Sequence, residues 1–221
     1  MASKIYFIRH GITEGNMRQW FYGTADLHLT EKGKDTLREL KDRGAYPDIP
    51  DDADCYTSAL VRTNETFQII FGDRPRTVFP LFNEISFGDC ECKTYEQLKN
   101  YEWFSTWAED KTGDVSPPGG ESRNEFAARV SRGMKKLVGS HREKERYCSN
   151  GDGDAVSVVV CHGGVIAGIM HETFPDVKGS MWDWIPVPGL GYTMEFKNGR
   201  PEKYENLSDI DGREIFGVSE W

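Results

Sequence analysis

Two stretches of uninterrupted apolar, β-prone residues constrain this chain more than anything else in it: Ile5-Tyr6-Phe7-Ile8 near the start, and Ala155-Val156-Ser157-Val158-Val159-Val160-Cys161 far downstream. A strand that is apolar without alternation is buried on both faces, so helices must cover the sheet on each side. That predicts an α/β chain, a three-layer sandwich with a mostly parallel central sheet flanked by helices. Both runs stop in the same way, at Arg9-His10-Gly11 and at His162-Gly163-Gly164. In open α/β sheets, ligands bind outside the carboxyl ends of the strands. One strand-end histidine is as often a polar edge residue as a functional one, but two strands of the same design argue for a shared site. An arginine beside a histidine disfavours a charged imidazole, so the pairing suits a neutral ring or an anionic guest. A neutral imidazole in an anion site is a nucleophile suited to phosphorus.

The bulk properties narrow the class. The 221 residues, 38% hydrophobic, suffice for one core, and we read residues 1–221 as a single domain. No apolar run reaches membrane-spanning length, and the first strand follows almost directly on the first methionine, so neither a membrane span nor a signal peptide is expected. Five cysteines, an odd number with no zinc-like spacing, point to reduced thiols, a cytoplasmic setting and no metal. Cys90-Glu91-Cys92 is too tightly spaced for a CxxC pair. The net charge of −9 argues against nucleic acid or an anionic membrane as partner, and makes arginines gathered round a phosphate a local exception. The expected partner is a small phosphorylated metabolite. A homodimer is compatible with the sequence.

Between the two runs, Met17 to Gly23 is aromatic and irregular, either substrate wall or loop packing. Thr30 is placed to cap a helix running to about Arg43, with Gly33 where a capping-box glutamate would stand. A short strand over 53–57 leads to Ser58, read as the cap of a helix that carries Arg62 in its first turn. A cation there opposes the helix dipole unless an anion docks beside it. A strand over 76–82 delivers Glu84 among Phe82, Ile85 and Phe87, apolar company that raises a carboxyl's pKa. Residues 93–110 read as helical. The segment from about 91 to 120 is a candidate helical cap, its aromatics serving packing first. A helix is expected from Ser122 to His141, a polar loop over 143–154, and a helix from Val165 to about Glu172. Residues 191–196 with the Asn198-Gly199 turn suggest an antiparallel edge strand. The acidic tail from Leu207 to Trp221 has no assignment.

Taken in order, these blocks resemble the histidine phosphatase superfamily, in its phosphoglycerate-mutase-like branch. Arg9-His10-Gly11 with Thr13, Glu14 and Asn16 is similar to the family's opening motif. Gly23, Asp26 and Leu29-Thr30-Glu31 with Gly33 follow, then Ser58-Ala59-Leu60-Val61-Arg62 with Thr66. Glu84, Gly88 and Glu91 match the acid block, Gly119-Gly120-Glu121-Ser122 a later one, and His162-Gly163-Gly164 the last. The resemblance implies that His10 is the nucleophile and becomes phosphohistidine, and that Arg9, Arg62 and His162 clamp the phosphoryl group. It implies that Glu84 protonates the leaving oxygen and then activates water, and that Asn16, Thr13, Gly23 and the Gly163 amide assist binding. Two guanidiniums and an imidazolium would stabilise the transferring group without a metal or cofactor. Cys90-Glu91-Cys92 replaces the Trp-Glu-Gly frequent in relatives, altering the expected pocket wall, and Ala167 stands where relatives often carry arginine. The expected activity is hydrolysis of phosphomonoesters. The alternatives are a bisphosphoglycerate-dependent phosphoglycerate mutase and a phosphoryl-binding protein without catalysis.

Overall fold

A computed structural model describes residues 2–149 and 153–211 of the chain. Its six strands are β1 (Ser3–Arg9), β2 (Asp54–Thr57), β3 (Thr77–Val78), β4 (Ala155–Cys161), β5 (Gly191–Lys197) and β6 (Arg200–Asn206). They form one mixed sheet in the order β3-β2-β4-β1-β5-β6. The first four of that order are parallel; β5 pairs antiparallel with β1, and β6 antiparallel with β5. The two apolar runs are therefore the central neighbours β4 and β1, and all seven residues of β4 are buried.

Side-chain alternation divides the interior into two layers. Ile5, Phe7, Val159 and Cys161 face α6 (Arg123–Ser149) and α7 (Gly163–Thr173), which contribute Phe126, Val130, Leu137, Val165, Ile166, Ile169 and Met170. Ile8, Val156, Val158 and Val160 face α2 (Glu31–Asp42) and α3 (Val61–Phe71), which contribute Leu37, Phe67 and Ile70. The expected three-layer α/β sandwich is what forms.

Several boundaries differ from the sequence reading, each for a local reason. The strand expected over 76–82 shortens to Thr77–Val78, because Pro80 opens a 3-10 turn through Phe82. The helix expected over 93–110 splits into α4 (Tyr95–Leu98) and α5 (Glu102–Ala108). Their aromatics close a small separate core, with Cys90, Leu98 and Phe104 buried against Phe21, Phe87, Trp103 and Trp107. Cys90 belongs to that core rather than to a pocket wall. Helix α6 runs 27 residues, to Ser149, into the stretch read as loop, since His141, Glu145 and Cys148 keep its apolar-side spacing buried. Strand β5 is interior, paired to both β1 and β6; the edge is β6, reached through Asn198 and Gly199, both at positive φ as a tight hairpin requires. Among the described residues no helix is long and apolar enough to cross a membrane. Of the tail, only Leu207–Asp211 falls within the described residues.

Candidate active site

Register brings the two histidines together. In the β1–β4 ladder Ile8 pairs with Val160 and Arg9 with Cys161, so the next residue of each strand is a histidine. His10 N–H donates to Cys161 O at 3.0 Å, and the two imidazole centroids lie 5.2 Å apart, edge to face. Both rings are buried. The neighbouring turn is pinned from α3, where Thr66 Oγ1 accepts from Gly11 N–H at 3.0 Å and donates to Arg62 O at 2.7 Å.

His10 Nδ1 donates to its neighbour's carbonyl, Gly11 O, at 2.7 Å, which fixes the tautomer and leaves Nε2 as the unprotonated nitrogen of a neutral ring. Burial pushes its pKa well below the usual imidazole value, and the guanidiniums of Arg62 and Arg9 push the same way. A buried imidazole carrying a free Nε2 lone pair beside two cations is what in-line attack on a phosphoryl group requires.

The cations are held by backbone carbonyls. Arg62 is fully buried at the start of α3. Its Nη1 donates to Ala25 O at 2.8 Å, its Nη2 to Gly23 O at 2.7 Å, and its guanidinium covers the Tyr22 ring at 5.1 Å. Those carbonyls are aimed by Glu91, whose carboxylate accepts from the N–H groups of Gly23, Thr24 and Ala25 and from Phe87 N–H, all at 3.0 or 3.1 Å. Gly23, expected among the phosphate-binding residues, has its N–H on Glu91 and its carbonyl on Arg62. Ser58 is not the cap of α3: Leu60 stands at the N-cap, and Asp26 Oδ1 accepts from Val61 N–H at 2.7 Å. Asp26 thus supplies the negative charge that the arginine-bearing helix start needs, without a ligand. Arg9 anchors one Nη1 hydrogen on Pro186 O at 2.8 Å, while its buried Nε has no partner among the described residues.

His162 is the N-cap residue of α7. Arg62 Nε donates to its Nδ1 at 3.3 Å, so the other nitrogen, Nε2, carries the proton and donates to Ser58 Oγ at 2.8 Å. The ring is neutral, with its pKa lowered first by burial and then by Arg62; the imidazolium expected here is replaced by an acceptor that orients Arg62. Just beyond, Gly163 and Gly164 leave room for two side chains. A Cβ on Gly163 would sit 3.1 Å from Arg9 Nε, and one on Gly164 only 2.6 Å from Glu84 Oε1. Glu84 Oε2 accepts from Gly164 N–H at 2.9 Å, so the carboxylate rests on the first turn of α7. Its Oε1 accepts from Ile85 N–H at 3.0 Å.

Thr13 is the cap of α1 (Glu14–Met17). Its hydroxyl lies within hydrogen-bond reach of Asn16 Oδ1 and of Tyr22 OH, and Asn16 Oδ1 returns to Thr13 N–H, which leaves the Asn16 amide nitrogen as the group able to donate outward. Tyr22, whose ring centroid lies 6.3 Å from that of His10, was visible in the sequence only as one aromatic of an irregular loop. Arg129, which binds the backbone under Glu84, had no sequence signal at all. Among the described residues no group of three or more His, Cys, Asp or Glu side chains is arranged to hold a metal ion.

Comparison with known proteins follows the same lines. A family model described as histidine phosphatase superfamily (branch 1) matches residues 5–204. A 2,3-bisphosphoglycerate-dependent phosphoglycerate mutase of Methylobacterium sp. (strain 4-46) is 29% identical, over 85% of this chain and 90% of its own. An adenosylcobalamin/alpha-ribazole phosphatase of Salmonella typhimurium is 28% identical, over 96% of this chain and 98% of its own. The crystal structure of an alpha-ribazole phosphatase from Shigella flexneri, 24% identical, covers 90% of this chain and 93% of its own at a TM-score of 0.74, a likeness of fold.

Proposed function

The chain belongs to the histidine phosphatase superfamily, and on that premise we propose that it is a metal-independent phosphomonoesterase that hydrolyses small phosphorylated metabolites through a phosphohistidine on His10. The observation that carries this reading is the state of His10: neutral, buried, its Nδ1 tied to Gly11 O, and flanked by Arg9, Arg62 and His162. In the first transfer, the Nε2 lone pair forms the P–N bond as the ester P–O bond breaks. Arg9 and Arg62 offset the charge on the equatorial oxygens, and protonated Glu84 gives its proton to the leaving oxygen. In the second, Glu84 takes a proton from water, the water oxygen bonds to phosphorus, the P–N bond breaks, and inorganic phosphate and neutral His10 result. Two guanidiniums beside these histidines would repel a metal cation, which favours a mechanism without one.

A mutase would use the same groups, returning the phosphoryl group to a second substrate oxygen instead of to water. The short stretch between Glu84 and Glu121 supports hydrolysis, since a longer insertion there is expected of a mutase. The deciding experiment measures phosphate release from 3-phosphoglycerate and from a panel of phosphomonoesters, beside isomerisation with and without 2,3-bisphosphoglycerate. Release of inorganic phosphate with little isomerisation is expected, together with acid-labile label on His10 and full activity in a chelator. Rapid isomerisation with little release would assign the mutase instead, and a protein that binds phosphate but never labels would be a non-catalytic binder.

A further inference from the structure

The segment that carries Glu84 has almost no regular structure of its own. It lies between the 3-10 turn of Pro80–Phe82 and a second 3-10 turn at Gly88–Cys90. A general acid must nevertheless be held to within a fraction of an ångström. The side chain that holds it comes from α6. Arg129 Nη1 donates to Leu81 O at 3.0 Å and to Asn83 O at 2.8 Å, and Nη2 donates to Glu84 O at 3.2 Å. The remaining donors meet one carboxylate: Nε to Glu121 Oε1 at 2.8 Å and Nη2 to Glu121 Oε2 at 2.6 Å. All five N–H groups of a guanidinium are thereby used.

Glu121 closes the other side. Its Oε2 accepts from Ser86 N–H at 3.0 Å, while its own N–H donates to Ser86 O at 2.8 Å. The acid's backbone is thus gripped from both directions, at residues 81, 83 and 84 by Arg129 and at residue 86 by Glu121. The two grips are joined by a two-pronged ion pair that is mostly buried, with side chains 16% and 25% exposed. The Arg129 guanidinium also lies over the Phe126 ring at 5.2 Å. Neither residue hydrogen-bonds to His10, Arg9, Arg62 or His162 among the described residues.

We propose that Arg129 and Glu121 are positioning residues for proton transfer: together they set the place of the Glu84 carboxyl, and so control how well the enzyme expels poor leaving groups. This rests on the reading of Glu84 as the acid. It predicts a selective loss, because a phenolate with a low pKa departs without a proton whereas an alkoxide does not. Lysine at 129 keeps the charge but offers three hydrogens from one point and cannot bridge three carbonyls and a carboxylate.

The test uses the intact protein with Arg129→Lys and Glu121→Gln, assayed on 4-nitrophenyl phosphate and on an alkyl phosphate such as glycerol phosphate. Far-ultraviolet circular dichroism and melting are recorded in parallel. We expect folded variants whose kcat/KM, which reports transfer to His10 alone, falls about 30- to 100-fold on the alkyl ester and less than about threefold on the aryl ester. Glu121→Gln, which leaves Arg129 on its three carbonyls, gives the smaller selectivity and serves if Arg129→Lys does not fold. Equal losses on both esters, or none, in a folded variant overturn the proposal while leaving the phosphatase reading intact. Wild-type protein that hydrolyses neither ester and takes no label on His10 overturns that reading and the positioning role with it.

Discussion

A single methyl group added at Gly164 would push the Glu84 carboxyl out of its place. Gly164 is the second residue of α7, and the Glu84 carboxylate rests on it: Oε2 accepts its N–H at 2.9 Å, and an added Cβ would lie 2.6 Å from Oε1. Ordinary carbon–oxygen contact begins at about 3.4 Å, so the carboxyl must retreat by about 0.8 Å, or rotate away and lose its bond to the amide. A displacement of that size at a reacting group costs about 10²-fold in rate. The helix itself gains, since alanine at an unstrained helical position restricts the unfolded chain and is worth about 0.4–1 kcal/mol. Gly164→Ala should therefore keep or slightly raise the melting temperature, by up to about 4 °C. Over the same substitution, kcat/KM on alkyl phosphates should drop about 100-fold and kcat/KM on 4-nitrophenyl phosphate far less, since only the first transfer depends on the leaving group. The assay is steady-state hydrolysis of both esters beside a thermal melt. Full activity on the alkyl ester would refute the placement of Glu84 as acid, and a parallel loss of stability would refute the claim that only the carboxyl has to move.

Three further outcomes follow from the same geometry. His10→Ala should abolish turnover and label on the protein; label that persists on another residue would remove His10 from its role. Glu91→Gln replaces an oxygen that accepts charge-assisted bonds with an amide that donates, at a cost of about 2 kcal/mol. Because Glu91 aims the carbonyls that hold Arg62, binding of inorganic phosphate should weaken about 10-fold or more by calorimetry, and unchanged binding would contradict this. Far from the site, His141 is fully buried between Ser3 Oγ and Ser157 Oγ, each 2.9 Å away, and burial lowers its pKa to about 4. The unfolded chain binds its proton near pH 6.5, so stability is lost as pH falls from there toward 4. That linkage amounts to about 2 kcal/mol between pH 7 and pH 5. Denaturant melts of the wild type and His141→Gln should differ in their pH dependence by that amount, and parallel curves would disprove it.

What could be read in the chain was whatever burial writes into local pattern. β1 and β4 were legible because a strand covered on both faces has no alternation, and the paired histidines because each ends such a strand. Thr30 announced α2, and its hydroxyl does accept Gly33 N–H at 3.0 Å. Harder to see was anything decided by distant partners. Pro80 and Phe82 look like strand residues and form a 3-10 turn. Glu143–Ser149 looks like loop and is helix, because its buried positions recur four and three residues apart among charges. Arg129 reads as one more basic residue on a charged helix, since three of its acceptors are carbonyls that carry no side-chain signal. The tautomer of His162 was beyond the sequence for the same reason: it depends on Arg62 Nε, a hundred residues away.

The pairing of β1 with β4 also dictates when function can appear. The strands that carry His10 and His162 are spliced directly side by side, although the two histidines stand 152 positions apart in the chain. A nascent polypeptide can acquire β1, α2, β2 and α3, and with them both guanidiniums, and still lack the imidazole that orients Arg62 and the helix turn that seats Glu84. Catalytic competence therefore waits on a long-range contact of the sheet rather than on any local one. Regain of phosphatase activity after dilution from denaturant would time that contact, whereas helix signals would report earlier, local events.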